Sequence, residues 1–280
     1  NCKIPGSEFT IKLDDDVPFE TKPYPLNFVF SSQIKEVVEE MVEQKLLIPE
    51  SSNYGSGVFV RPRPDHTNSG NARIRIINDY RQLNSKCLAD LYPIPNLKMI
   101  LQRMNGKKFF ILMDLKDSYQ AIRIAEKDRY KASIVTSFGQ FTPTRMMFGY
   151  KNAPPWFSRQ LHRAIHDVED ATNYLDDILC AGDTPEECLK VFEEVLKRLV
   201  KAGFKISLAK LQMFKSNLKI LGVNISQDGI RSDEAKIQAV KQFPVPQTKT
   251  DVQKFLGIAN YLSDFIPGFS LKAAPLFKLA

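Results

Sequence analysis

The run Asn173-Tyr174-Leu175-Asp176-Asp177-Ile178-Leu179 constrains this chain more than any other stretch, because it sets two adjacent carboxylates inside an apolar, β-prone segment. A carboxylate within a buried strand is costly unless it is paired or bound to a metal. A turn tolerates the pair. The run therefore predicts a β-hairpin whose tip presents both acids, either to a divalent cation or, as an ordinary surface turn, to water. Phe109-Phe110-Ile111-Leu112-Met113-Asp114-Leu115 repeats the pattern, with a strand-like apolar run closing on a single acid. Three carboxylates at the ends of neighbouring strands would make a hard, oxygen-rich site suited to Mg²⁺.

The rest of the composition agrees with a soluble globular chain. Of 280 residues, 43% are hydrophobic and 25% charged, enough for more than one subdomain. The net charge of +7 favours a polyanionic partner, with nucleic acid first among them. The four cysteines, Cys2, Cys87, Cys180 and Cys188, form no C-x-x-C pair and read as free thiols of a reducing compartment. No apolar run is long enough to span a bilayer. The N-terminus lacks the basic-then-apolar order of a signal peptide, and the lack of an initiator Met predicts a piece excised from a longer protein.

Apolar periodicity predicts a helix over 31–47, strands over 55–63 and 72–78 around a turn-rich tip, and a strand over 109–115. A helix follows over 155–168, and then the Asp-Asp hairpin. The helix over 184–202 is the best marked: Thr184 and Glu187 make a capping box, Pro185 fits the first turn and Gly203 supplies the stop. Short strands fill 203–225, and helices run from Ile230 onward, broken at Pro244-Val245-Pro246 and Pro267-Gly268. Strand, helix, strand-turn-strand, helix, strand is a split β-α-β pattern, so the fold class is α+β.

Several motifs together resemble one family. Tyr174-Leu175-Asp176-Asp177 is similar to the Tyr-x-Asp-Asp box of reverse transcriptases, and Asp114-Leu115-Lys116-Asp117-Ser118-Tyr119 to their first catalytic motif. Tyr92-Pro93-Ile94-Pro95 precedes that motif as in the family. Phe148-Gly149-Tyr150-Lys151-Asn152-Ala153-Pro154 resembles an element of gypsy-type long-terminal-repeat retrotransposons, and Phe255-Leu256-Gly257 with Phe265-Ile266-Pro267-Gly268 resembles their thumb. Ser118-Tyr119-Gln120-Ala121 departs from the gypsy pattern toward the retroviral one. The resemblance implies a right-hand polymerase. Fingers would cover 1–89 and 122–152, a ferredoxin-like palm 90–121 and 153–226, and a helical thumb 227–280.

The resemblance also implies roles. Asp114, Asp176 and Asp177 would be catalytic and hold two Mg²⁺ ions, or Mn²⁺, with Asp114 and Asp176 the shared ligands. The backbone around Asp117 and Ser118 would touch the incoming triphosphate; a turn or helix-cap carboxylate is the plain alternative for Asp117. Tyr119 would lie under the sugar and exclude a 2′-hydroxyl; core packing is its alternative. Arg75 would grip the triphosphate, unless it makes a strand-face ion pair, for instance to Asp79. Either Arg61 or Arg63 would reach the γ-phosphate. Phe148 would pack on the incoming nucleotide or the fingers, and Gly149 would let the backbone approach the template-side pocket. Lys210 would help protonate pyrophosphate, or be a solvated lysine. Leu221-Gly222-Val223 would be the primer grip, or an ordinary strand turn. His162 and His166 have metal-pair spacing but no third ligand in view.

The implied function is RNA- and DNA-templated DNA synthesis by two-metal-ion nucleotidyl transfer. The partners would be deoxynucleoside triphosphates and a primer-template, either an RNA/DNA hybrid or a DNA duplex. The implied setting is a polyprotein with a following ribonuclease H domain, in cytoplasmic virus-like particles and with no membrane partner. The rival reading is a catalytically silent or domesticated copy that only binds nucleic acid.

Overall fold

The computed structural model describes residues 2–24, 28–62, 74–95, 97–220 and 222–280. The elements run α1 (Phe28–Glu43), β1 (Leu47–Pro49), β2 (Ser56–Pro62), β3 (Ile74–Asn78), α2 (Arg81–Lys86), α3 (Leu97–Met104) and β4 (Phe109–Asp114). Then come β5 (Ile134–Thr136), β6 (Gly139–Pro143), α4 (Ala153–Ile165), β7 (Ala171–Tyr174), β8 (Asp177–Gly182) and α5 (Pro185–Ala202). The chain ends with β9 (Gln212–Lys215), β10 (Asn217–Ile220), β11 (Val223–Ser226), β12 (Gly229–Ser232), α6 (Glu234–Lys241), α7 (Lys249–Tyr261) and α8 (Phe269–Leu279).

The strands form three sheets, ordered β1-β6-β5-β2-β3, β7-β8-β4-β9 and β10-β11-β12. The four-stranded sheet is antiparallel throughout. With α4 and α5 as its crossovers, its order is that of the ferredoxin-like fold, as the split β-α-β pattern predicts. Its central pair is buried on both faces. Ile111, Met113, Ile178 and Cys180 enter the main core beneath α4 and α5. Phe110, Leu112, Leu179 and Ala181 enter a second core with Ile100, Leu218 and Ile225. Side chains alternate across a strand, so both faces demand apolar residues. The acids can appear only where the strands end.

Local chemistry moves several expected boundaries. Helix α1 stops before the expected end because Lys45 turns left-handed at φ 57°, which frees Leu47 to open β1. At α5, Thr184 accepts from the Glu187 N–H at 3.2 Å, but the Glu187 carboxylate accepts from Asp183 N–H rather than from its cap residue. The expected capping box is thus only half formed there. A reciprocal box stands instead at α7, between Thr248 and Asp251. Past Ile230 the first element is not a helix. Ser226 pairs with Gly229, so Gln227-Asp228 turns β11 back into β12, which Gly229 opens at φ 111°.

The N-terminal segment is a strap. Cys2 N–H donates to the Ala121 carbonyl, Lys3 N–H to that of Ala202, and Phe9 N–H to that of Arg123. The four cysteines are free. Among the described residues no helix is long and apolar enough to cross a membrane.

Candidate active site

The hairpin is β7–β8, and it places its two acids differently from expectation. Tyr174 pairs with Asp177, so the turn consists of Leu175 and Asp176 alone. Only Asp176 is therefore at the tip; Asp177 opens β8. Leu175 takes φ 52°, a placement that tight hairpin turns usually give to Gly, Asn or Asp. A leucine there costs about 1–2 kcal/mol. Asn173 Nδ2 donates to the Leu175 carbonyl at 3.4 Å. The Leu115 N–H donates to the Asp176 carbonyl at 3.1 Å, tying the turn to the end of β4.

Asp177 and Asp114 are register partners across β4 and β8. Like charges placed opposite each other in a sheet repel. Burial, with the charges of Asp176 and Asp114, raises the Asp177 carboxyl above the usual carboxylate range, and Lys210 works in the opposite direction. Lys210 Nζ lies 3.0 Å from Asp114 Oδ2. Its backbone is held in place because Ser207 N–H donates to the Asp114 carbonyl at 2.8 Å and Leu115 bridges Ile206. Asp114 and Asp177 thus share the influence of one ammonium.

This cluster suits a divalent cation. Among the described residues, no group of three or more His, Cys, Asp or Glu side chains forms a ready metal cage. Mg²⁺ characteristically takes one or two carboxylates and completes its shell with water and substrate phosphate. An open set of acids fits that habit, and the raised proton affinity of Asp177 marks the negative charge gathered there. His162 and His166 have ring centroids 5.1 Å apart and gain no third ligand among the described residues.

Beside the acids the chain turns sharply at Asp117, φ 49°, which is exposed, while Ser118 is buried. The Asp117 carbonyl accepts from the Ala121 N–H at 3.1 Å. Tyr119 is half-buried, and burial together with the Asp176 charge pushes its hydroxyl up to about 12. The ring therefore stays neutral near the acids. It is held edge-on between Phe148 at 5.0 Å and Phe157 at 5.4 Å. Phe148 is 55% exposed and Phe157 fully buried, so the row runs from the surface into the core. Gly149 has φ 105°, and a Cβ there would meet the Asn78 carbonyl at 3.1 Å. Its close approach is to β3 of its own chain, and it lines a cavity of about 460 Å³ with Phe59, Tyr80 and Arg81.

Arg61 and Arg75 are cross-strand partners in β2 and β3. Arg63 and Leu221 lie outside the described residues. Asp79, the alternative partner for Arg75, is gripped by Arg81 through two bonds of 2.8 and 2.7 Å and accepts from Tyr24 Oη at 2.6 Å. The guanidinium and the phenol hold its carboxyl well below the usual range. Asp79 and Arg81 stand two residues apart in Asn78-Asp79-Tyr80-Arg81, but Tyr24 is too distant in the chain for spacing to reveal it. Gly222 has φ 76°; its carbonyl accepts from the Asp233 N–H at 3.1 Å, and Val223 is buried.

Comparison with known proteins agrees with this geometry. A family model described as reverse transcriptase (RNA-dependent DNA polymerase) matches residues 62–225. The Pol polyprotein of transposon gypsy from Drosophila melanogaster is 32% identical over 269 residues, which is 95% of this chain and 26% of the relative. A foamy viral protease-reverse transcriptase in complex with double-stranded DNA matches with a TM-score of 0.86 at 25% identity, covering 99% of this chain and 48% of that one. One in complex with an RNA/DNA hybrid matches at 0.82 and 25% identity, covering 99% and 37%. The α+β fold is therefore that of the right-hand polymerases. Its curated relatives include Pol polyproteins of gypsy-type long-terminal-repeat retrotransposons, and the chain itself belongs to the reverse transcriptase family.

Proposed function

We propose that this chain is the polymerase portion of a retroelement reverse transcriptase, extending a primer on RNA or DNA with deoxynucleoside triphosphates. One observation carries the reading: Asp114 and Asp177 face each other across a strand pair, with Asp176 on the adjoining turn. Two divalent ions, Mg²⁺ or Mn²⁺, would activate the primer 3′-hydroxyl and neutralise the leaving pyrophosphate. Asp114 and Asp176 would hold them, with Asp177 adding negative charge from the strand behind. The backbone at Asp117 and Ser118 and the guanidinium of Arg75, with Arg61 or Arg63, would take the triphosphate. Tyr119 closes the sugar pocket, Phe148 packs on the nucleotide, and Gly149 shapes the template side. Lys210 holds a proton at Nζ for the leaving group, and residues 221–223 grip the primer.

Fingers at 1–89 and 122–152 contain the five-stranded sheet, and palm segments 90–121 and 153–226 contain the four-stranded sheet. The thumb from 227 joins through β12, which pairs with β11. The foamy viral neighbours, bound to DNA and to an RNA/DNA hybrid, support the same partners here. A following ribonuclease H domain, and work within cytoplasmic virus-like particles, complete the proposal.

Primer extension by the purified chain tests it. Asp176→Asn should abolish extension and leave primer-template affinity within a few-fold, since phosphate contacts supply the affinity. Near-normal extension by a folded Asp176→Asn chain overturns the acid assignment. Binding without extension by the unsubstituted chain, in either metal, would replace the polymerase with a nucleic-acid-binding protein.

A further inference from the structure

A second cationic cluster lies outside the two-metal site. Arg123 and Arg145 are partners in an antiparallel bridge. Residues directly opposite each other put their Cβ atoms about 4.5–5.5 Å apart on one face. Ile122, Ile124 and Met146 are buried, so the two arginines share the other face. Arg129 is drawn to the same place, because its Nε donates to the Ile124 carbonyl at 3.2 Å.

Among the described residues the cluster has no ion-pair partner. Arg145 Nη1 is buried without an acceptor. Burial and the charges of Arg123 and Arg129 lower its proton affinity. The adjacent Asp128 is already engaged, accepting from the Ile11 N–H at 3.2 Å and pairing with Lys131 Nζ at 2.9 Å. Opposed like charges destabilise a strand pair, and an unsatisfied buried donor adds to that cost.

We propose that Arg123, Arg129 and Arg145 form a phosphate-binding site. Guanidinium forks match phosphate oxygens two at a time, and three of them suit a multiply charged group. The strands also link the cluster to the sugar pocket. Ile122 N–H donates to the Tyr119 carbonyl at 3.0 Å, and Met146 N–H to that of Ile122 at 2.9 Å. The phosphate can come from a nucleic-acid backbone or from a free polyphosphate, since both offer the same oxygens.

Thermal unfolding of the full chain without metal, at constant ionic strength, tests the site. Arg123→Gln should melt at or above the unsubstituted chain when no phosphate is present, because one repelling charge is gone. Inorganic pyrophosphate should raise the melting temperature of the unsubstituted chain saturably, and the rise should at least halve in Arg123→Gln. Lys127→Gln, which removes an exposed charge beside the triad, should keep the full rise. Equal rises in all three chains mean diffuse attraction and overturn the site, as does a rise that never saturates. A single-stranded oligonucleotide supplies the second arm. A tenfold affinity loss in Arg123→Gln assigns the site to backbone phosphate; unchanged affinity with the halved pyrophosphate response assigns it to a free polyphosphate.

Discussion

Replacing Tyr119 with valine separates a sugar gate from a packing residue. The ring is half-buried and makes edge contacts to Phe148 at 5.0 Å and Phe157 at 5.4 Å. Truncating a fully buried aromatic costs about 3–5 kcal/mol. Tyr119 is only partly covered and valine restores part of its volume, so roughly 1–3 kcal/mol of stability should go. That loss lowers ribo- and deoxyribonucleotide insertion alike. The gate adds a term for one substrate only. Forcing extra atoms into a filled site costs about 1–3 kcal/mol. Removing the ring should therefore raise the ribo-to-deoxyribo insertion ratio by roughly 5- to 150-fold. Single-nucleotide insertion with paired substrates reads the ratio, and thermal unfolding reads the packing loss independently. A folded Tyr119→Val enzyme with an unchanged ratio refutes the steric argument and leaves Tyr119 as packing.

Three further perturbations address the acids and their supports. The Asp177 carboxyl is raised in the fold, so its contribution to metal-free stability is full below the ordinary carboxylate pKa of about 4 and falls as pH rises through the folded value. In the presence of chelator, Asp177→Asn should flatten that fall; parallel melting profiles against pH would sink the idea. Lys210 pairs with Asp114 across 3.0 Å, so on the proposed function it would compete with the metal, and an exposed ion pair is worth about 0–1 kcal/mol. Lys210→Met should thus bind Mn²⁺ up to roughly fivefold more tightly by calorimetry while losing extension rate; weaker binding would show that the lysine organises the site instead. At Gly222, an added Cβ would lie 2.3 Å from Tyr261 Oη at φ 76°. Gly222→Ala should lower stability by about 1–2 kcal/mol for the left-handed backbone alone, and an unchanged melting temperature would contradict the strain.

The elements legible in the sequence are those whose pattern is local. The apolar run before Asp114 and the cap, Pro and Gly of α5 each announce one element within a few residues. The split β-α-β order follows from their succession, and the four-stranded sheet obeys it. The five-stranded sheet was less legible, because β1, β5 and β6 are short and the pairings β1–β6 and β2–β5 join strands remote in sequence. The division of labour within Asp176-Asp177 was hidden for a related reason. Pattern places a turn near the acids, but only the pairing of Tyr174 with Asp177 decides which acid is in it. The partners of Asp114 and Asp79, namely Lys210 and Tyr24, lie 96 and 55 residues away, and no periodicity reaches that far.

The same packing that hides these contacts accounts for the electrostatics of the site. β4 and β8 are buried on both faces, so neither strand can slide to part Asp114 from Asp177 without exposing Phe110, Ile111, Leu179 or Cys180. A one-residue shift of register would turn each of these side chains to the wrong core. The hairpin tip is equally confined, since Leu175 keeps φ 52° and the Asp176 carbonyl stays bonded to Leu115. Carboxylates on flexible loops would relieve repulsion by moving apart. These cannot, so relief must come from charge: a proton on Asp177, the ammonium of Lys210 beside Asp114, or a divalent cation. The first two neutralise one acid each and are available in the protein itself. Only a multivalent cation addresses all three acids together, which is why a rigid strand pair ending in carboxylates is better suited to holding metal than to standing without it.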